Sequence, residues 1–216
     1  MHPALIVILS LVGAVLFLFF VALRIFKKIY PVPMPWRLAS ILDNPGRRRF
    51  LSPSKTLRQM GIGQGMRVLE LGPGSGFLTI EAARRVGDSG MLYCLDIEPA
   101  LIVRLRQKTA KAGLENVALI VGNGECIPFA DSIFDLAFLV AVLGEMPNKD
   151  VALRELHRVL TPGGVLSISE LLPDPDYPLR GTTIAWALKA GFEPFQEFGN
   201  FFTYVVNFRR DHAQVR

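Results

Sequence analysis

The chain has 216 residues, half of them hydrophobic, with 24 basic and 19 acidic side chains and a mean hydropathy of +0.34. That length holds one α/β domain with a sizeable core and excludes two. Its two cysteines, Cys94 and Cys126, lie far apart with no histidine cluster beside either, which argues against a disulfide framework or a zinc site; no metal is expected.

The hydrophobic excess is local. Ala4 to Leu23 carries no charge, and Ser10 is its one polar side chain. About 20 such residues, rising roughly 1.5 Å each, match a hydrocarbon core of about 30 Å, so residues 1–28 are expected to form a transmembrane anchor. A cleaved signal peptide or a buried core helix are the alternatives. A signal peptide wants basic residues before its apolar run and a small-residue cleavage site after it. Here Met1, His2 and Pro3 precede the run, and Arg24, Ile25, Phe26, Lys27 and Lys28 follow it. From Arg24 to Arg67 there are ten basic residues and one acid, Asp43, whereas the remainder of the chain is net acidic. Basic residues just after the helix place that side in the cytoplasm, a reducing compartment, and draw it to anionic lipid. The same patch could mark nucleic acid, but beside an apolar anchor the bilayer is the expected partner and no nucleic acid is.

Residues 29–53 form a basic, Pro-rich connector, expected to lie on the membrane or over the domain as a lid; Asp43 to Phe50 is its lid-like part. The domain is expected over 54–216. Ser54–Met60 reads as a short helix, Arg67–Leu71 as a strand, then a Gly-rich turn and a helix over Phe77–Val86. Met91–Leu95 is a second strand, followed by a helix over Pro99–Ala112. Val117–Val121 and Phe134–Val140 are strands, and Asp150–Leu160 is an amphipathic helix with Leu153, Leu156 and Leu160 on one face. Val165–Ser169 is the fifth strand, Gly181–Ala190 a helix stopped by Gly191, and Pro194–Phe198 and Phe202–Phe208 close the chain. Apolar strands alternating with helices predict an α/β fold, a parallel sheet covered on both faces. Only Gly199, Asn200 and Phe201 join the last two strands, so that pair must be antiparallel.

Val68-Leu69-Glu70-Leu71-Gly72-Pro73-Gly74-Ser75-Gly76 places glycines at the first strand-to-helix turn, where backbone can approach a nucleotide-like ligand. Phe77 stands where a dinucleotide fingerprint would need glycine. Asp96 ends the second strand, placed to accept both ribose hydroxyls or to cap the next helix. Val121-Gly122-Asn123-Gly124-Glu125-Cys126-Ile127-Pro128-Phe129 follows the third strand.

These pieces, with Phe134–Phe138 and Arg158-Val159-Leu160-Thr161-Pro162-Gly163-Gly164, resemble the class I S-adenosylmethionine-dependent methyltransferases, in particular the group with ubiquinone and menaquinone C-methyltransferases. The resemblance runs from about Lys55 to Arg210. It implies a Rossmann-like, seven-stranded, mostly parallel sheet with an antiparallel C-terminal hairpin. S-adenosylmethionine is the implied cofactor, held by Glu70, Gly72, Gly74, Gly76, Asp96, Ile97, Asn123, Gly124, Glu125 and Val140. Asn123 replaces the family's acid at the adenine contact; its carboxamide oxygen can accept the same bond. Glu145, after the fourth strand, is the candidate catalytic residue, with a cofactor contact or a helix cap as its alternatives, and Glu170 has a weaker claim. His157, on the amphipathic helix, is expected to be a solvated surface residue. Cys94 is expected to be a buried hydrophobe. Asn200, Phe201, Phe202 and Tyr204 either belong to the core or line an apolar mouth facing the membrane. The expected activity is methyl transfer to a small lipophilic acceptor: quinone-like, lipid or thiol. The alternative is a membrane-anchored, non-catalytic cofactor-binding or scaffolding protein. The missing cysteine set disfavours arsenite as acceptor, and no Asn/Asp-Pro-Pro-Tyr-type motif points to nucleic acid.

Overall fold

The computed structural model describes residues 3–29, 51–172 and 174–211. Nearly all of the connector, including its lid-like part at 43–50, lies outside them. Helix α1 runs from Pro3 to Ile29 and α2 from Pro53 to Met60. Then come β1 (Arg67–Leu71), α3 (Thr79–Val86), β2 (Met91–Asp96), α4 (Pro99–Lys111), β3 (Val117–Val121) and β4 (Phe134–Val140). A single 3-10 turn at Leu143–Glu145 precedes α5 (Lys149–Val159), β5 (Leu160–Leu171), α6 (Arg180–Lys189), β6 (Phe192–Gly199) and β7 (Thr203–Arg210).

All seven strands share one sheet in the order β3-β2-β1-β4-β5-β7-β6. The first five are parallel; β7 pairs antiparallel with both β5 and β6. The expected sheet and its C-terminal hairpin are therefore present. Strand periodicity explains how both faces are covered. In β1, Val68 faces α2, α3 and α4 together with Leu57, Ala82 and Leu105. Its neighbours Leu69 and Leu71 face α5 and α6 with Leu153, Leu156 and Ala187. Each such aliphatic side chain contributes about 1.5–3 kcal/mol by leaving water. β2 lies on one side of β1 and β4 on the other, so the chain reverses direction across the sheet there. Crevices beyond strand carboxyl ends at such a reversal take ligands.

Two elements begin elsewhere than the pattern suggests. β5 starts at Leu160 rather than Val165, because Leu160 pairs with Phe134 before the register slips at Phe134/Leu136. α3 starts at Thr79 rather than Phe77, because the glycine turn is still closing at Gly76, whose N–H bonds Pro73 O at 2.9 Å. In α1, Leu5–Arg24 is long and apolar enough to cross a membrane, and those of its side chains that are described lie largely outside the packed core.

Candidate active site

The first turn is held by backbone bonds that only permissive residues allow. Gly72, Gly74 and Gly76 sit at φ of 70°, 54° and 79°, a region costly for residues with a β-carbon. Gly72 N–H donates to Leu95 O at 2.8 Å, and Gly74 N–H to Asp96 Oδ2 at 3.1 Å. Asp96 Oδ1 accepts from Glu98 N–H at 3.0 Å, so this carboxylate organises the turn before any ligand arrives. Burial raises its pKa while those backbone donors oppose the rise. Among the described residues a β-carbon on Gly74 would meet nothing within 4 Å, which leaves an open cradle above the turn and beside Asp96. On Gly72 it would lie 2.5 Å from Val142 Cγ2, so glycine is required there for the exit of β4 to pack against the turn.

Glu70 is buried on the α3 side. Its Oε2 accepts Thr79 Oγ1 at 2.7 Å and the Cys94 thiol at 3.5 Å. Burial pushes its pKa up to about 7, against the opposing pull of those two donors. Cys94 is buried as expected, and it also serves Glu70 as a weak donor.

The remaining predicted cofactor residues gather at the same edge. Gly122 N–H bonds Asp96 O at 2.9 Å, tying the exit of β3 to that of β2. Ile97 is exposed and Val140, ending β4, is half-buried. Gly124 packs so closely on Met146 and Leu71 that a β-carbon would reach 2.5 Å from Met146 Cε. Asn123 Oδ1 accepts Glu125 N–H at 2.9 Å, so the oxygen assigned to adenine already closes its own loop and keeps one lone pair for a ligand. Glu125 binds Asn148 twice, at N and Nδ2, both 2.9 Å, which commits its carboxylate to the start of α5.

Past β4, Ala141 adopts φ 55°, a strained conformation for alanine, secured by its N–H bond to Ser169 O at 2.9 Å. That bend carries Val142 over Gly72. No sequence signal marks it, since alanine is not a residue that seeks left-handed backbone. Glu145 then meets Asp174 and Asp176, their carboxylate oxygens within 4.8 Å of one another, an arrangement able to hold a positive group. Beneath them Glu170 is buried, and its Oε1 has no hydrogen-bond partner among the described residues. Burial first, then Asp174, Glu145 and Asp176, hold its pKa well above the carboxylate range. Lys149 bonds Met146 O at 2.7 Å, and burial lowers its pKa against the opposing pull of Asp176 and Glu170. Asp174 and Asp176 were missed from the sequence; the run Asp174-Pro175-Asp176 is a turn signal, but no spacing links it to Glu145.

His157 is not a solvated residue. It is half-buried edge-on to Phe192 at 5.2 Å, and burial followed by Arg210 lowers its pKa. Tyr204 is core, bonded to Thr183 at 2.7 Å and Pro178 O at 3.0 Å, whereas Phe201 and Phe202 are exposed.

Residues 62–182, more than half of the chain, match the family described as Methyltransferase domain. The chain belongs to this methyltransferase family. It is 37% identical over 116 residues to the ubiquinone/menaquinone biosynthesis C-methyltransferase of Shewanella sp. (strain W3-18-1), covering 53% of this chain and 46% of that protein. It thus spans about half the length of the curated relatives it matches. A S-adenosylmethionine-dependent methyltransferase from Aquifex aeolicus superposes with TM-score 0.77 at 25% identity, covering 82% of this chain and 99% of that one. An arsenic(III) methyltransferase from Chlamydomonas reinhardtii superposes with TM-score 0.59 at 23% identity over 86% of this chain and 76% of its own, a likeness of fold alone. Family and fold imply S-adenosylmethionine as cofactor, and the open glycine cradle beside Asp96 fits it.

Proposed function

We propose that this methyltransferase is anchored to a membrane by α1, with its domain on the cytoplasmic side, and methylates a small lipophilic acceptor of quinone-like character. S-adenosylmethionine, when bound, supplies a sulfonium-activated methyl group. The chain's residues supply position. Asp96 accepts from the ribose hydroxyls, Glu70 and the glycine turn take the amino-acid portion, and Asn123 and Gly124 border the base. Alignment of a reactive acceptor is worth more here than acid–base help, since proximity alone supplies up to about 7–11 kcal/mol. Glu145 lies on the acceptor side and is the residue best placed to accept a proton there.

One observation carries the membrane and acceptor assignment. Arg24, where the apolar run of α1 ends, donates to Tyr177 O at 2.7 Å and Asp174 O at 3.4 Å. The apolar run therefore ends against the loop that follows β5, beside the acidic acceptor side. A lipid-dissolved acceptor would reach such a site without crossing water, and the likeness to quinone C-methyltransferases supports a quinone-like acceptor. The test is methyl transfer by the full chain in phospholipid nanodiscs, offered isoprenoid-like quinols, alkyl thiols and phospholipids in turn. Methylated quinol is expected; transfer only to a thiol or phospholipid would reassign the acceptor, and transfer only to water-soluble compounds would refute the lipophilic class.

A further inference from the structure

We propose that the Phe201–Phe202 tip of the β6–β7 hairpin is a second membrane contact, seated in the bilayer surface beside the end of α1. The inference rests on reading α1 as membrane-spanning, and adds a surface that holds the domain in one orientation on the lipid.

A tight hairpin turn is normally polar. Here two adjacent phenylalanines are 60% and 61% exposed, their rings edge-to-face at 5.7 Å, and Leu179 nearby is 56% exposed. Exposed apolar clusters of this kind mark interaction surfaces. The tip is also built rigidly. Asn200 Oδ1 accepts Phe202 N–H at 2.9 Å and Thr203 N–H at 3.2 Å, and Asn200 N–H donates to Thr203 O at 2.7 Å. Leu172 N–H donates to Phe202 O at 2.7 Å, fixing the tip to the end of β5. The backbone therefore presents both rings outward without further ordering.

Continuity with α1 identifies the occupant. Tyr177 donates its hydroxyl to Phe201 O at 2.5 Å, and its own carbonyl accepts from Arg24. The Arg24 guanidinium also stands 5.8 Å over the Tyr177 ring. One tyrosine thus links the polar end of the apolar helix to the aromatic tip. If the apolar run of α1 lies in hydrocarbon, Arg24 marks the headgroup level, and Tyr177, Phe201 and Phe202 lie at that level too. Tyrosine favours this depth, and phenylalanine on surface-bound segments buries into the headgroup–acyl boundary. Arg180 donates to Asn200 O at 3.3 Å and pairs with Glu197 at 3.3 Å, which braces the rim of the tip; Arg24 is the cation placed at lipid phosphate. Charge and apolar surface together fit a phospholipid bilayer. Because Phe202 is bonded to Leu172, two residues beyond Glu170, insertion of the tip also sets the acceptor side against the lipid.

The wild-type chain in phospholipid nanodiscs supplies the first test. Hydroxyl-radical footprinting should find Phe201 and Phe202 protected, despite their exposure in the protein itself; ordinary labelling of both overturns the proposal. Phe202→Trp and Phe201→Trp then identify what protects them. Above the signal of the native Trp36 and Trp186, the new indole should emit at shorter wavelength and lose intensity when acyl chains are brominated near the headgroup. Emission typical of water, quenched by acrylamide and indifferent to bromine, overturns it. So does protection that rises with protein concentration and ignores bromine, which would mean a second copy covers the tip. Binding of S-adenosylmethionine, read separately, keeps the outcomes apart: its loss in the wild type refutes the methyltransferase assignment and leaves the lipid result standing. A chain that fails to enter nanodiscs removes the reading of α1, and this inference with it.

Discussion

Gly72→Ala tests how the cofactor turn is assembled. The residue sits at φ 70°, where an alanine costs about 1–2 kcal/mol in backbone strain. Its new β-carbon would also stand 2.5 and 3.0 Å from Val142 Cγ2 and Cγ1. Overpacking of that kind typically costs about 1–3 kcal/mol, so the substitution should destabilise the domain by about 2–5 kcal/mol in total. Val142→Ala removes both offending atoms and leaves its Cβ at 3.4 Å. In a double-mutant cycle it should therefore rescue the packing part and not the backbone part, giving a coupling of at least about 1 kcal/mol. The assay is urea unfolding of the detergent-solubilised full chain followed by circular dichroism, with S-adenosylmethionine affinity measured on the same four proteins. A Gly72→Ala protein as stable as the parent, or strictly additive effects of the two substitutions, would refute the proposition that Ala141 bends the exit of β4 onto the glycine turn.

Two further outcomes concern the buried acids. Glu70 is held at about 7 by burial in the free protein; return to its ordinary range when the positively charged cofactor binds would make affinity rise about thirtyfold from pH 5.5 to pH 8. Isothermal titration across that range checks it, and Glu70→Gln should flatten the profile. Glu170 also has a raised pKa, chiefly through burial. The folded state thus holds its proton more tightly than the unfolded chain, so its contribution is full below the ordinary carboxylate range and is lost as pH rises through the raised value. Glu170→Gln carries no such penalty: its melting temperature should exceed the parent's at about pH 9 and match it near about pH 5. An equal difference at both pH values would contradict the buried-proton account.

The sheet was legible because its signals are local. Apolar strands joined by helices, or between β3 and β4 by a long loop, predict parallel pairing, and a three-residue connection forces the last pair to be antiparallel. The glycine turn and Asp96 were legible for the same reason, each lying at the end of a strand that its own residues define. What escaped depends on tertiary placement. Ala141 adopts left-handed backbone because Ser169 and Gly72 hold it, and nothing about alanine announces that. Asp174 and Asp176 join Glu145 only through the packing of the loop after β5 against the turn after β4. His157 looked like a surface residue because its helix is amphipathic, but Phe192 arrives from β6 to cover it. Glu125 was named with the cofactor residues on the resemblance of its loop; that its carboxylate also holds Asn148, 23 residues on, lay beyond any spacing rule.

The most direct test of the central claim is calorimetric titration of the full chain with S-adenosylmethionine, beside Asp96→Ala. Asp96 already accepts from Gly74 and Glu98, so its removal deprives the ligand of a charged acceptor and loosens the turn as well. Each hydrogen bond to a charged group is worth about 1.5–3 kcal/mol, so affinity should fall at least about tenfold to a hundredfold. Saturable binding by the parent, weakened by that much in a folded Asp96→Ala protein, is the predicted result. A folded parent that does not bind, or a variant that binds as tightly, would contradict the account.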